Sequence, residues 1–364
     1  MNERLRRMQE LGQAPWVDEL SREDIQSGGL ERMIEEGIVG ITSNPAIFQK
    51  AIAGSDLYDE QLGELAREED DPKEIFWGIA RTDIRDACDI FSPVYERTGG
   101  EDGYVSLEVQ PDLAYDTDAT VEEAARLHDM IDRPNLFVKI PATLQGLVAI
   151  EEMISRGKSI NVTLIFSLER YREVVRAYIR GVKRLVENGG DASGVRSVAS
   201  FFVSRIDTEA DNKLEELGAD DLKGELAIAN ARLAYQVYKQ VFGGSRWRSL
   251  EARGANRQRL LWASTSAKNP DYPDTIYVDN LVGPETVNTM PKKTIEAVKD
   301  HGEIRPTLEE GVEEAKRLLG RLREAGLDYE DVTDTLEQEG IKKFADPFNE
   351  LLDEIKNKGR QLVS

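Results

Sequence analysis

Cysteine and histidine are almost absent from this chain of 364 residues, which has one of the former, Cys88, and two of the latter, His128 and His301. A lone cysteine excludes an internal disulfide, and so few soft ligands exclude a Cys/His zinc site. Long apolar runs are missing too: none approaches the roughly 20 residues that a membrane-spanning helix needs. The first residues, Met-Asn-Glu-Arg-Leu-Arg-Arg, lead into no apolar segment of the signal-peptide kind, so the expectation is a cytoplasmic protein. Positive charge is scarce. Against 69 Asp and Glu there are 47 Lys and Arg, a net charge of −22. That field disfavours nucleic acid and anionic membranes as partners, and it is compatible with a high-salt cytoplasm. An anionic substrate would need local cations to reverse it. No Gly-x-Gly-x-x-Gly follows a strand and there is no Gly-x-x-x-x-Gly-Lys, so the dinucleotide fingerprint and the P-loop are both absent.

What the sequence does contain is a regular alternation. Short apolar segments bounded by turn residues occur at 14–20, 38–43, 104–109, 135–141, 160–166, 197–206, 260–264 and 275–279, and helical patterns fill nearly every gap. Eight strands alternating with helices imply a parallel sheet, and about 280 residues is the size of a closed (β/α)8 TIM barrel. The α/β fold expected is therefore one barrel domain over residues 1–364. It carries a helical insertion at 46–100 and C-terminal helices at 305–364 on the outside of the barrel, with Pro347 as a breaker.

The fourth segment, Asn-Leu-Phe-Val-Lys-Ile-Pro, is unusual because a lysine, Lys139, sits inside a buried-strand pattern. Period two puts Phe137, Lys139 and Pro141 on one face, so the amine leaves the sheet among apolar neighbours. Burial disfavours the charged form of a lysine and favours the neutral amine that attacks carbonyls. Polar residues also mark the ends of the other strands: Asp18, Asn44, Glu108, Asn161 with Thr163, Ser200 on the same face as Phe202, Arg205, and Ser264. Singly, each has a plain structural reading as a cap, a turn residue or an ion-pair partner. Together they fill a barrel end that otherwise prefers branched apolar side chains, and chemistry in such barrels sits at the C-terminal ends of the strands. A Schiff-base lysine needs proton transfers, for which Glu108 and Asp18 are suited. The amides Asn44 and Asn161 can bind sugar hydroxyls, and Arg205 offers a fork for phosphate. The pattern points to a lyase or transferase acting on a phosphorylated sugar.

The segments Trp16-Val17-Asp18, Gly40-Ile41-Thr42-Ser43-Asn44-Pro45, Ser106-Leu107-Glu108-Val109, Phe137-Val138-Lys139-Ile140-Pro141-Ala142-Thr143, Asn161-Val162-Thr163-Leu164-Ile165-Phe166-Ser167 and Ser200-Phe201-Phe202-Val203-Ser204-Arg205-Ile206 form an ordered set. In that set the chain resembles the transaldolases, over nearly its whole length. The resemblance implies transfer of a dihydroxyacetone unit from a ketose phosphate to an aldose phosphate in the pentose phosphate pathway, without metal or organic cofactor. It makes Lys139 the Schiff-base residue and Asp18 the group that handles the proton of the hydroxyl at the broken C–C bond. Glu108, with a water held by Thr163, would serve carbinolamine formation and dehydration, and Asn44, Asn161 and Ser200 would hold the donor. Many members carry a phosphate-binding arginine two residues after the serine of strand seven. Here that position is Ser266, and Lys268 is the nearest cation, as in the longer bacterial branch, so the expected phosphate site is Arg205, Ser264 and Lys268. Sugar phosphates are the expected partners, and monomer and homodimer are both compatible with the sequence. Two rivals stand beside this reading. One is a lyase of the fructose-6-phosphate aldolase type, disfavoured by Glu108 and Phe202, where those proteins have a glutamine and a tyrosine. The other is a non-catalytic sugar-phosphate-binding barrel.

Overall fold

The computed structural model describes residues 1–363. Eight strands close on themselves in sequence order, all parallel: β1 (Gln13–Val17), β2 (Ile41–Thr42), β3 (Val105–Glu108), β4 (Leu136–Pro141), β5 (Ile160–Ile165), β6 (Ser197–Phe202), β7 (Arg259–Ala263) and β8 (Thr286–Met290), with β8 returning to pair with β1. Every strand residue is buried, as befits a barrel wall with side chains inside and helices outside. This is the expected (β/α)8 barrel.

The eighth strand is not where the sequence pattern put it. Residues 275–279 contain a single helical turn, Ile276–Asp279, closed by a bond of 2.7 Å from Thr275 Oγ1 to Asp279 Oδ2. The strand itself, Thr-Val-Asn-Thr-Met, is too polar to read as a buried run. Its polar side chains find partners inside the protein, apart from Asn288 Nδ2: Thr286 Oγ1 donates to Gly283 O at 2.6 Å, and Asn288 Oδ1 accepts from Thr265 Oγ1 at 2.9 Å.

At the N-terminal end of the barrel, aromatic rings replace branched aliphatics. Phe137 stacks on Tyr104 at 4.0 Å between centroids and on Trp16 at 6.2 Å. Trp16 needs the absence of a side chain at Gly40, whose Cβ would lie 2.4 Å from the indole. With this end filled, the open end is the C-terminal one.

The expected insertion contains helices Pro45–Ala53, Asp59–Glu68 and Pro72–Arg97. The terminal helix, Tyr329–Val363, packs against all three and reaches β5. It continues through Pro347 instead of breaking there. An interior proline costs about 3 kcal/mol, and burial offsets it: Phe344, Phe348 and Leu351 are all buried, with Phe348 edge-on to Phe76 at 5.3 Å. The helix does more than cover the outside, because Phe344 joins the wall of the cavity at the barrel mouth.

Candidate active site

Register places the central residues. Lys139 of β4 pairs with Glu108 of β3 on one side and with Asn161 of β5 on the other. The lysine Nζ lies 3.0 Å from Glu108 Oε2 and donates to Ser43 O at 3.0 Å, and both partners of the ion pair are buried. The Phe344 ring sits 5.6 Å from the same nitrogen. Burial raises the Glu108 pKa above the usual carboxylate value, and the nearby Lys139 only partly reverses it.

Asp18 follows β1 directly and still shares the sheet's hydrogen bonding, its N–H donating to Met290 O at 2.9 Å. Its carboxyl is likewise pushed up by burial, against the opposing pull of Lys139 and of a hydrogen bond from Thr42. That bond, from Thr42 Oγ1 to Asp18 Oδ1, measures 2.6 Å, and Thr42 Oγ1 lies 2.7 Å from Thr289 Oγ1. Since Thr42 gives its proton to Asp18, Thr289 must donate to Thr42, so the chain of hydroxyls is oriented toward the carboxylate.

A cavity of about 600 Å³ opens at this end, within the size range of small-molecule sites. Asp18, Asn44, Lys139, Thr163, Ser200 and Phe202 contribute to its wall, with Arg205, Ser264 and Lys268 on the β6–β7 side. Two of the expected residues do not face it. Asn161 is fully buried behind the wall, where its Oδ1 accepts from Ser200 Oγ at 2.7 Å and its Nδ2 donates to Ser106 Oγ at 3.1 Å. Its observed contacts thus hold Ser200 rather than line the cavity. Glu108 borders a smaller recess beside Asn44 and Phe348 and reaches the lysine from behind.

Other positions are set by local geometry. Asn44 caps the helix Pro45–Ala53, its Oδ1 accepting from Ile47 N at 3.1 Å, which leaves the Nδ2 half of its amide uncommitted. Thr163 Oγ1 is buried without a protein partner. Ser264 adopts φ +56° and brings its Oγ 2.9 Å from Ser204 Oγ at the start of helix Ser204–Leu217. Arg205 is the second residue of that helix. Its guanidinium lies 5.4 Å from the Phe202 ring, and burial lowers its pKa. Lys268 is lowered by burial and then by Arg205, and its Nζ donates to Ser266 Oγ at 2.7 Å.

Sequence reasoning missed Thr289, Phe344 and Lys50, all in the cavity wall. Thr289 lay in the strand that had been misplaced, and Phe344 comes from a helix with no motif. Thr42 was visible, two residues before Asn44 and hence on the same face, and its partnership with Asp18 could have been inferred.

Among the described residues, no group of three or more His, Cys, Asp or Glu side chains could hold a metal ion, and no helix is long and apolar enough to cross a membrane.

Known proteins match the chain over nearly its whole length. A family model described as Transaldolase/Fructose-6-phosphate aldolase matches residues 15–355. The chain belongs to that family. Transaldolase 2 of Streptomyces coelicolor is 52% identical over 357 residues, covering 97% of this chain and 96% of its own. The Transaldolase of Acidothermus cellulolyticus is 50% identical over 355 residues, at 96% and 95% coverage. That of Mycolicibacterium paratuberculosis is 49% identical over 359 residues, at 97% and 96%. Membership of the transaldolase/fructose-6-phosphate aldolase family thus extends over nearly the whole chain, terminal helix included.

Proposed function

We propose that the chain is a transaldolase of the pentose phosphate pathway, moving a dihydroxyacetone unit from sedoheptulose 7-phosphate or fructose 6-phosphate to glyceraldehyde 3-phosphate or erythrose 4-phosphate. The observation that carries the reading is the buried Lys139, 3.0 Å from a carboxylate that burial has made a better base. The names of the full-length relatives support it.

Attack on the donor requires the neutral amine. Lys139 passes a proton to Glu108, and its nitrogen adds to the C2 carbonyl to give a carbinolamine. Protonation of the C2 hydroxyl then expels water and leaves the imine. Glu108 supplies that proton through a water at Thr163, whose Oγ1 has no protein partner. Asp18 accepts the proton of the C4 hydroxyl as the C3–C4 bond breaks, the aldose phosphate departs, and the electron pair is held as an enamine of dihydroxyacetone. The imine is itself the electron sink, so neither a metal nor an organic cofactor is called for. The acceptor aldehyde reverses the sequence: the enamine carbon attacks, Asp18 returns the proton, and water hydrolyses the new imine.

Asn44 and Ser200 hold donor hydroxyls, Asn161 keeps Ser200 in place, and Phe202 supports Arg205 under the phosphate, with Ser264 and Lys268 completing that subsite. Substrates of this kind support a cytoplasmic setting.

Coupled transfer from fructose 6-phosphate to erythrose 4-phosphate tests the reading, beside Lys139→Arg and an acceptor-free reaction. Transfer that needs the acceptor and vanishes in the variant is expected. Equal turnover without acceptor would make the protein an aldolase, and no turnover in either reaction would leave a binding barrel.

A further inference from the structure

Five cations border the cavity at the barrel mouth: Lys139, Arg205, Lys268, Lys292 and Lys50. Two are neutralised. Lys139 is paired with Glu108, and Lys292 reaches Asp24 at 2.6 Å and Glu19 at 4.0 Å. The other three have no ion-pair partner among the described residues. Arg205 lies against the Phe202 ring with its Nη1 buried and unbonded, and Lys268 reaches only the Ser266 hydroxyl. Lys50, exposed on the helix that Asn44 caps, has neither hydrogen bond nor ion pair to its amine. These charges feel one another: after burial, Arg205 acts to depress Lys268 and Lys50 adds a smaller push the same way, with Asp18 between them in size and opposing. In a chain of net charge −22, carboxylates are plentiful; Asp18 and Glu339 act on the group from a distance, but among the described residues none comes within ion-pair reach of it. Unpaired like charges gathered at one cavity repel, and an anion among them removes the cost.

We propose that Lys50 is a specificity-determining residue, the third cation of the phosphate subsite with Arg205 and Lys268. It supplies from the helix Pro45–Ala53 the charge that the loop after β7 lacks at Ser266. The ligand class is a sugar phosphate monoester, recognised through its dianion, and Lys50 favours phosphorylated over neutral ketoses. The inference deepens the proposed function and rests on it for the identity of the sugar.

Two measurements on the parent, Lys50→Met and Lys50→Arg test it. The first is the ligand concentration giving half-maximal borohydride trapping at Lys139, with fructose 6-phosphate and with dihydroxyacetone, which carries no phosphate. The second is the concentration of inorganic phosphate giving a half-maximal thermal shift, which needs no Schiff base. Loss of one charge-assisted contact at an open site raises the fructose 6-phosphate value about five- to tenfold in Lys50→Met. The phosphate value rises in parallel, the dihydroxyacetone value stays put, and Lys50→Arg restores both. Equal rises for the phosphorylated and the neutral ligand would overturn the assignment in favour of a general structural role, and no rise for fructose 6-phosphate or inorganic phosphate would overturn it outright. Failure of the parent itself to be trapped would refute the Schiff-base reading, while the inorganic phosphate arm would still decide for or against Lys50.

Discussion

The buried pair of Lys139 and Glu108 makes a demand on stability that is separable from its chemistry. At 3.0 Å, an effective dielectric of about 20 gives a mutual attraction of about 5–6 kcal/mol. Much of this only offsets the cost of taking two charges out of water, so the pair as a whole contributes little net stability, whereas removing one partner strands the other. Glu108→Gln leaves the ammonium with Ser43 O as its remaining polar contact, and we expect a loss of about 3–5 kcal/mol. Lys139→Met strands Glu108, which can escape by taking up a proton, so its loss is smaller and grows with pH. The double variant, with two uncharged side chains, recovers most of the difference. Urea unfolding of all four proteins at about pH 8 measures the coupling, with denaturant slopes checking that the unfolded states match. The expected coupling is about 3 kcal/mol or more. Losses that add to within about 0.5 kcal/mol would mean that the two charges do not depend on each other, and the proton transfer proposed between them would lose its basis.

Two further outcomes concern proton binding. Asp207, buried with Oδ1 accepting from Ala227 N at 2.7 Å and Oδ2 from Tyr277 O–H at 2.9 Å, has its pKa pushed up to about 7, chiefly by burial. The folded protein therefore keeps a proton that the unfolded chain loses near pH 4, so this residue costs stability as pH rises from about 4 to 7. Asp207→Asn should gain on the parent by about 2–3 kcal/mol between pH 5 and pH 8, and a pH-independent difference in urea unfolding would contradict the assignment. Thr42→Val removes the hydroxyl that lowers the Asp18 pKa. The acid limb of kcat/KM should then move to higher pH, while Thr42→Ser keeps it in place; an unmoved limb in Thr42→Val would dissociate Thr42 from Asp18.

Most of the barrel was readable because its strands announce themselves by burial. Segments such as 135–141 and 160–166 are apolar runs closed by turn residues, and the polar exceptions at Lys139, Asn161 and Thr163 stand out against them. The same logic failed at β8. Thr286 Oγ1 accepts from Gln13 Nε2, Asn288 Oδ1 accepts from Thr265 Oγ1, and Thr289 Oγ1 meets Thr42 Oγ1; a local pattern cannot see such bonds between segments, whereas the apolar residues at 276–278 looked more strand-like than they are. The candidate site was legible as a set of residue types but not as a set of contacts. Asn161 stands out by residue type, yet it faces Ser106 and Ser200 instead of the cavity. Phe344 gave no signal, because its place beside Lys139 depends on how the terminal helix packs across the barrel mouth, which no local pattern encodes.

That helix gives biosynthesis an order of events. All eight strands, and with them Lys139, Glu108 and Asp18, leave the ribosome before Phe344 does. At roughly 5–20 residues per second, Phe344 follows Met290 of β8 by roughly 3–10 s. A nascent chain can thus bring its reactive amine and both carboxylates together while the mouth still lacks one wall, and maturation of the site is a docking step rather than the closing of the barrel.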